Sequence, residues 1–285
     1  MKKLDAAILG SVLLLGSAFA VAADSTRQTK LAIAPGGSVS IVNNCGSVTL
    51  HQGSQRQVLV SATTHSDKVE VDANSVAEGR RVDIRTHAVP QQKPNSSEFS
   101  VDFDIAVPPG VSVVVSTATA PITIDGLSGD LSLSSDTGVV TVKNAANARV
   151  EVHGVAAPVV LSDLSGRVEV ISSNGSVQLT NVSGPRVSVT TTSGNISYRG
   201  DFSGGGSYVL ATHSGAIEVT LPESASVDVT ARSLKGSVED DFPLQSKSHM
   251  AFVPEAGRSF AGTSNSGSSS VELESFSGRI RVKKQ

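Results

Sequence analysis

The chain has 285 residues, with 26 Gly, 4% aromatic residues, no Trp, one Cys and a formal net charge of -3. That length suits one large or two ordinary domains. No basic patch is interleaved with aromatics, which argues against a nucleic-acid binder, and a lone cysteine excludes an internal disulfide.

The first 23 residues read as a targeting segment. Lys2 and Lys3 form a short positive region, and residues 5–23 are small and apolar around Leu13-Leu14-Leu15. Both Ala18-Phe19-Ala20 and Ala20-Val21-Ala22 fit a small-x-small cleavage rule, and polarity begins at Asp24. Residues 1–23 are therefore expected to be a secretory signal peptide, with an uncleaved anchor as the alternative. Their removal takes away two Lys and one Asp, so the balance becomes 21 minus 25, or -4. No later stretch approaches the run of about 18 apolar residues that spans a bilayer.

Residues 24–118 predict irregular β coils. Strand-like runs occur near 38–42, 56–62, 67–72, 80–86, 98–107 and 111–116, with a polar loop at Val89–Ser97 and a turn at Pro108-Pro109-Gly110. This region is expected to be broader coils of the same solenoid as the rest; a separate small β domain is the alternative. Cys45 occupies a slot before Gly46 that holds Ser, Thr, Asn or Lys in similar phrases, and reads as a small turn residue. Asp102 and Asp104 alternate with Val101, Phe103 and Ile105, so both should share the solvent face of one strand.

Residues 119–285 carry a repeated phrase: a small polar residue, Gly, any residue, then alternating Val, Ile or Leu. Copies include Ser128-Gly129-Asp130-Leu131, Thr137-Gly138-Val139-Val140, Ser165-Gly166-Arg167-Val168, Asn174-Gly175-Ser176-Val177, Ser193-Gly194-Asn195-Ile196 and Ser214-Gly215-Ala216-Ile217. Asn44-Cys45-Gly46-Ser47-Val48 is an early copy. The clearest internal match is offset by 37 residues: Ala120-Pro121-Ile122 with Ala157-Pro158-Val159, and Arg149-Val150 with Arg186-Val187. A unit of that length holds four short strands, or two coils of about 18–19 residues, in the range of solenoid repeats.

The strands are short, alternating and β-branched, and no helical period is sustained after the leader. The expected fold is all-β: a single-stranded parallel β-helix (β-solenoid), with 24–285 as one continuous domain. Each repeated Gly is expected at a tight bend or a positive φ. About 13 coils at about 4.8 Å each predict a rod of about 60 Å, whose ends need capping. Paired immunoglobulin-like sandwiches are disfavoured, because the buried Trp and Cys pair are absent.

Chemistry is sparse. None of His51, His65, His87, His153, His213 and His249 is paired at metal-ligand spacing, and there is no G-x-S-x-G elbow. Gly204-Gly205-Gly206-Ser207 lacks the Lys of a phosphate loop and reads as a corner. Asp102 with Asp104, and the cluster Glu239-Asp240-Asp241, could serve as acid and base of a polysaccharide-cleaving enzyme; the simpler reading is exposed strand and turn residues. Residues 240–270 break the rhythm with Pro243, Pro254 and Gly257. The tail Gly278-Arg279-Ile280-Arg281-Val282-Lys283-Lys284 puts Arg279, Arg281 and Lys283 on one face. Contact with an anionic envelope polymer is one use for them, and a charged last strand that discourages end-to-end aggregation is the other.

These phrases, their number and the ending Phe276-Ser277-Gly278-Arg279-Ile280-Arg281-Val282 resemble the bacterial DUF4097-type "putative adhesin" family over roughly residues 35–283. The resemblance implies an exported, non-enzymatic β-solenoid of the cell envelope, and offers no catalytic motif. The expected function is a binding scaffold in the periplasm or at the cell surface, with no catalytic, cofactor-binding or metal residues. Its expected partners are an envelope or host glycan or another surface protein. A polysaccharide-active enzyme and a periplasmic structural or stress-response factor are the alternatives.

Overall fold

The computed structural model describes residues 24–54, 56–93, 95, 98–202, 205–246 and 256–285. The leader at 1–23, Gly204, His249 and Pro254 lie outside the described residues. Those described are all-β, in one sheet of 23 strands.

Seven strands precede the regular region: β1 (Ser25–Ala32), β2 (Ser38–Asn43), β3 (Cys45–Gln52), β4 (Gln57–Thr64), β5 (Val69–Val76), β6 (Arg81–Ala88) and β7 (Ser100–Val107). The central strands are β8 (Ser112–Thr117), β9 (Ile122–Asp125), β10 (Leu131–Ser135), β11 (Val140–Lys143), β12 (Ala148–Gly154), β13 (Val159–Ser172), β14 (Val177–Thr191) and β15 (Ile196–Arg199). Then come β16 (Ser207–Thr212), β17 (Ile217–Leu221), β18 (Val227–Ser233), β19 (Val238–Asp240), β20 (Gln245–Ser246), β21 (Ser259–Ser264), β22 (Ser269–Ser275) and β23 (Ile280–Lys284).

Alternation explains how they stack. Along β10, Leu131, Leu133 and Ser135 are buried and the residues between them face out; β8 and β12 repeat the pattern. Two ladders of parallel pairs result. One runs β6, β2, β8, β10, β12, then the second halves of β13 and β14, β16, β22 and β18. The other runs β7, β3, β9, β11, the first halves of β13 and β14, β15, β17, β23 and β19. Between them lies one core of Val, Ile and Leu that reaches from Ile33 to Val282.

The 37-residue repeat is two turns of this solenoid-like winding. Leu131 pairs with Val150, Val150 with Val168 and Val168 with Val187, steps of 19, 18 and 19 residues. Val187 pairs with Tyr208, a step of 21. The longer turn accommodates an aromatic cluster in the core, where Tyr198 stacks on Phe202 at 3.9 Å and Tyr208 meets Phe202 edge-on at 4.6 Å. Tyr198 donates to Val182 O at 2.8 Å, so the buried hydroxyl has a partner. Elsewhere thin layers of aliphatics dominate the interior, joined by the single buried rings of Phe103 and Phe242.

The repeated Gly is there for contact more than for dihedral freedom. Of the glycines in the repeated phrase, Gly46 and Gly166 adopt positive φ, at 97° and 125°, whereas Gly138, Gly175, Gly194, Gly215, Gly236 and Gly278 do not, so the two expectations are divided between the copies. A Cβ on Gly175 would sit 1.8 Å from Ala157 O, and one on Gly194 2.0 Å from Gly175 O. Each corner is pressed against the backbone of the turn beside it, and only hydrogen fits. Beside each corner lies a buried hydroxyl three residues earlier. Ser135 donates to Gly138 O at 2.8 Å, Thr191 donates to Gly194 O at 2.7 Å, and Gly278 N donates to Ser275 Oγ at 2.8 Å. The S/T-x-x-G spacing is readable in the sequence, three residues before each of these glycines.

One uninterrupted parallel winding does not extend to the ends. The turn formed by β2 and β3 lies between β6/β7 and β8/β9, so the first levels are out of chain order. At the other end β22 and β23 insert between β16/β17 and β18/β19. Antiparallel strands complete the ends: β4 on β7, β1 on β4, β5 on β6, β21 on β18 and β20 on β21. The tail is therefore an interior strand with partners on both sides, which corrects its reading as an anti-aggregation edge.

Candidate binding surface

Stacking in register turns single outward residues into rows. On the first ladder Arg149, Arg167 and Arg186 are aligned, followed in the next row by Glu151, Glu169 and Ser188. Neighbouring members of a row are about 4.8 Å apart. Arg149 pairs with Glu151 across the two rows, which offsets the repulsion of stacked like charges. On the second ladder Thr49, Thr123, Thr141, Val160, Gln178 and Ser197 form one continuous line. These are long surfaces with a regular repeat.

The acidic candidates are engaged in structure. Asp102 and Asp104 do share the solvent face of β7 between buried Val101, Phe103 and Ile105. Asp102 accepts from Ser47 Oγ at 2.7 Å and lies 2.8 Å from His65 Nε2. The other ring nitrogen of His65 lies 2.8 Å from Asp24. Partial burial opposes ionisation of Asp102, but the hydrogen bonds from Ser47 and His65 outweigh it and hold the carboxyl below its ordinary value. Hydrogen bonds to Asp102 and then Asp24 hold His65 above its own. This chain of contacts ties the residue before β1 and the residue after β4 to β7 and β3. Asp104 sits 3.1 Å from His51 Nδ1.

The second acidic cluster and the basic tail, separate in sequence, meet in space. Arg281 lies 3.6 Å from Glu239 and 2.9 Å from Asp241, and Arg279 lies 3.9 Å from Glu239. Lys283 lies 2.7 Å from Glu218 on the opposite neighbour β17. Burial raises the carboxyl of Asp240 above its ordinary value. At the adjoining corner the ring of Phe276 stacks on His213 at 4.6 Å, with Lys235 Nζ 4.8 Å from its centre. The tail is consumed in holding the re-threaded levels together.

Cys45 is half-buried, with Thr119 Oγ1 3.5 Å from its sulfur; it opens strand β3 next to the bend at Asn44, which corrects its reading as a turn residue. Among the described residues no three His, Cys, Asp or Glu side chains are grouped to hold a metal, and no helix is long and apolar enough to cross a membrane.

The Toastrack DUF4097 family model matches residues 38–283, the span from the first strand of the parallel ladders almost to the last. The chain belongs to the Toastrack DUF4097 family. No curated protein matches it. Among solved structures, a "putative adhesin" from Bacteroides fragilis shares 11% identity, with 92% of this chain and 97% of that chain covered and a TM-score of 0.47. A "putative cell adhesion protein" from Clostridium sporogenes also shares 11%, over 92% and 100% of the two chains, with a TM-score of 0.31. Similarity at this level says nothing of what this Toastrack chain binds.

Proposed function

We propose that this Toastrack protein is an exported, non-enzymatic β-solenoid that acts as a binding scaffold in the cell envelope, its central turns forming a parallel β-helix. The observation that carries the reading is the set of in-register outward rows, above all Arg149, Arg167 and Arg186 beside Glu151 and Glu169. A rigid surface repeating every few ångströms suits a linear, repetitive ligand such as an envelope or host glycan. Many weak contacts then add, because the surface is already ordered and little entropy is lost on binding. The polar rows of Thr, Ser and Gln offer hydrogen bonds of the same kind on the other ladder. Asp102, Asp104 and the acids at 239–241 belong to the scaffold in this reading, because each cluster is held by Ser, His or Arg partners.

Protease treatment of intact cells, with a periplasmic marker as control, tests the location. Cleavage on intact cells supports a surface role and directs a glycan-binding screen; protection until the outer barrier is opened removes the adhesin reading and leaves a periplasmic scaffold. Replacing Arg149, Arg167 and Arg186 together by Gln should abolish binding to any acidic glycan found. Undiminished binding would move the ligand to another face.

A further inference from the structure

The two ladders end unevenly at the N-terminal side. Beyond β3 the second continues through β7, β4 and β1, three strands; beyond β2 the first continues through β6 and β5, two strands. β1 thus extends one level past β5. A groove of about 460 Å³ lies there, with Ser25, Arg27 and Thr29 on one wall, Val60 and Ala62 at the base, and β5 from Val69 to Asn74 as the other wall.

Among the described residues no strand pairs with the second edge of β5, which faces this groove. Val89 N donates to Lys68 O at 2.8 Å, continuing the β5–β6 register in which Val69 faces Ala88. Bonds alternate along an antiparallel pair, so Glu70, Asp72 and Asn74 turn their backbone groups to β6, and Val69, Val71 and Ala73 turn theirs outward. That edge is eight residues long. At the other end of the molecule β19 has three residues and β20 two, the short edges by which proteins discourage pairing.

We propose that this groove is a strand-addition site, in which an extended peptide of a partner protein pairs with β5 along Val69–Ala73 and lies opposite β1. The walls specify its chemistry. Glu70 and Asp72 flank His87, at 3.5 and 3.4 Å, on the outward side of β5, and they call for Lys or Arg at alternate positions of the guest. Half-buried Val71 and Ala73, with Val60 and Ala62 beneath, call for small apolar residues between.

The test is fluorescence anisotropy of the purified protein with a labelled eight-residue peptide of alternating Lys and Val, against its Glu–Val counterpart. The Lys–Val peptide should bind at least about tenfold more tightly. Ala73→Pro removes an outward N–H without removing a bond to β6 and should weaken binding at least about tenfold, with the thermal melt unchanged. Glu70→Lys with Asp72→Lys should reverse the peptide preference. Equal binding of both peptides, or indifference to Ala73→Pro and to the charge reversal, overturns the proposal. So does a dimer in solution that Ala73→Pro dissociates, because the guest strand would then come from a second copy. The readout needs no glycan and no cellular location, so its failure is distinct from failure of the scaffold reading.

Discussion

The middle of the stack and its C-terminal end use the same turn and assemble it differently. From β8 to β17 spatial order follows chain order, while beyond β17 the last turn, β22 with β23, lies inside the earlier β18 with β19. The corners explain how both are possible. Gly215 packs on Gly194 O, Gly278 on Gly215 O and Gly236 on Gly278 O, with would-be Cβ contacts of 2.1, 1.7 and 2.1 Å. These turns present the same backbone and the same bare corner, so they are interchangeable as far as the ladder is concerned. What distinguishes the C-terminal end is side-chain pairing: Arg281 with Glu239 and Asp241 on one side, Lys283 with Glu218 on the other, and Phe276 between His213 and Lys235. The repeat specifies a turn, and the departures from it specify its neighbours.

The strongest test of the shared corner is Gly175→Val in the middle and Gly278→Val at the end. Both place a side chain on a carbonyl oxygen, at 1.8 and 1.7 Å, and each is expected to cost about 4 kcal/mol or more in urea unfolding. A harmless Gly278→Val would remove the last turn from the interior. By contrast Gly126, with φ of 72° and no atom within 4 Å of a Cβ, should cost only about 1 kcal/mol as Ala.

Leu210 and Leu273 sharpen the threading itself, being in register although 63 residues apart. Each Leu→Ala is expected to cost about 2–5 kcal/mol. The double variant should depart from additivity by about 0.5–3 kcal/mol; strict additivity would separate the two strands. Thr191→Val comes next. It leaves Gly194 O without its closest donor in the buried corner, and should lower stability by about 1–3 kcal/mol.

The N-terminal end adds a dependence on pH. His65 is held above its ordinary value by Asp102 and Asp24, so its contribution is complete below about 6.5 and is lost as pH rises through the raised value. Asp102 is held below its ordinary value, so its contribution is present above about 4 and is lost as pH falls through the lowered value. Protection of the β1 amides, taken relative to their intrinsic base-catalysed exchange rate, should therefore be greatest between these limits and lower at pH 8 than at pH 5.5. His65→Gln should flatten the alkaline side of that curve. The smallest effect belongs to Arg281→Ala at the exposed C-terminal pairs; its loss of stability should shrink further in salt, and an effect indifferent to salt would point to packing.

The turn was legible in the sequence because its causes are local. Alternation, a 37-residue offset and the Gly phrase predict strands near those found, including 100–107 and 112–117. The order of the turns was not legible, because it rests on contacts between residues such as Glu239 and Arg281 that no local pattern joins. The same holds for the functional surface. Asp102 and Asp104 stood out as a pair, yet Ser47, His65 and Asp24 explain Asp102, and they come from three other segments. The Arg149–Arg167–Arg186 row is visible in sequence only once the 18- and 19-residue steps are known.

The inserted last turn also bears on synthesis. A ribosome delivers β18 and β19 before β22 and β23, yet in the finished molecule the later pair lies beneath the earlier. Until residues 269–284 have emerged, the turn at 227–240 must wait unpaired or dock provisionally on β16 and β17 and later yield its place. A chain cut short near its end would thus lack an interior layer rather than a dangling tail, and would leave two open ladders to the proteases that clear unfinished proteins.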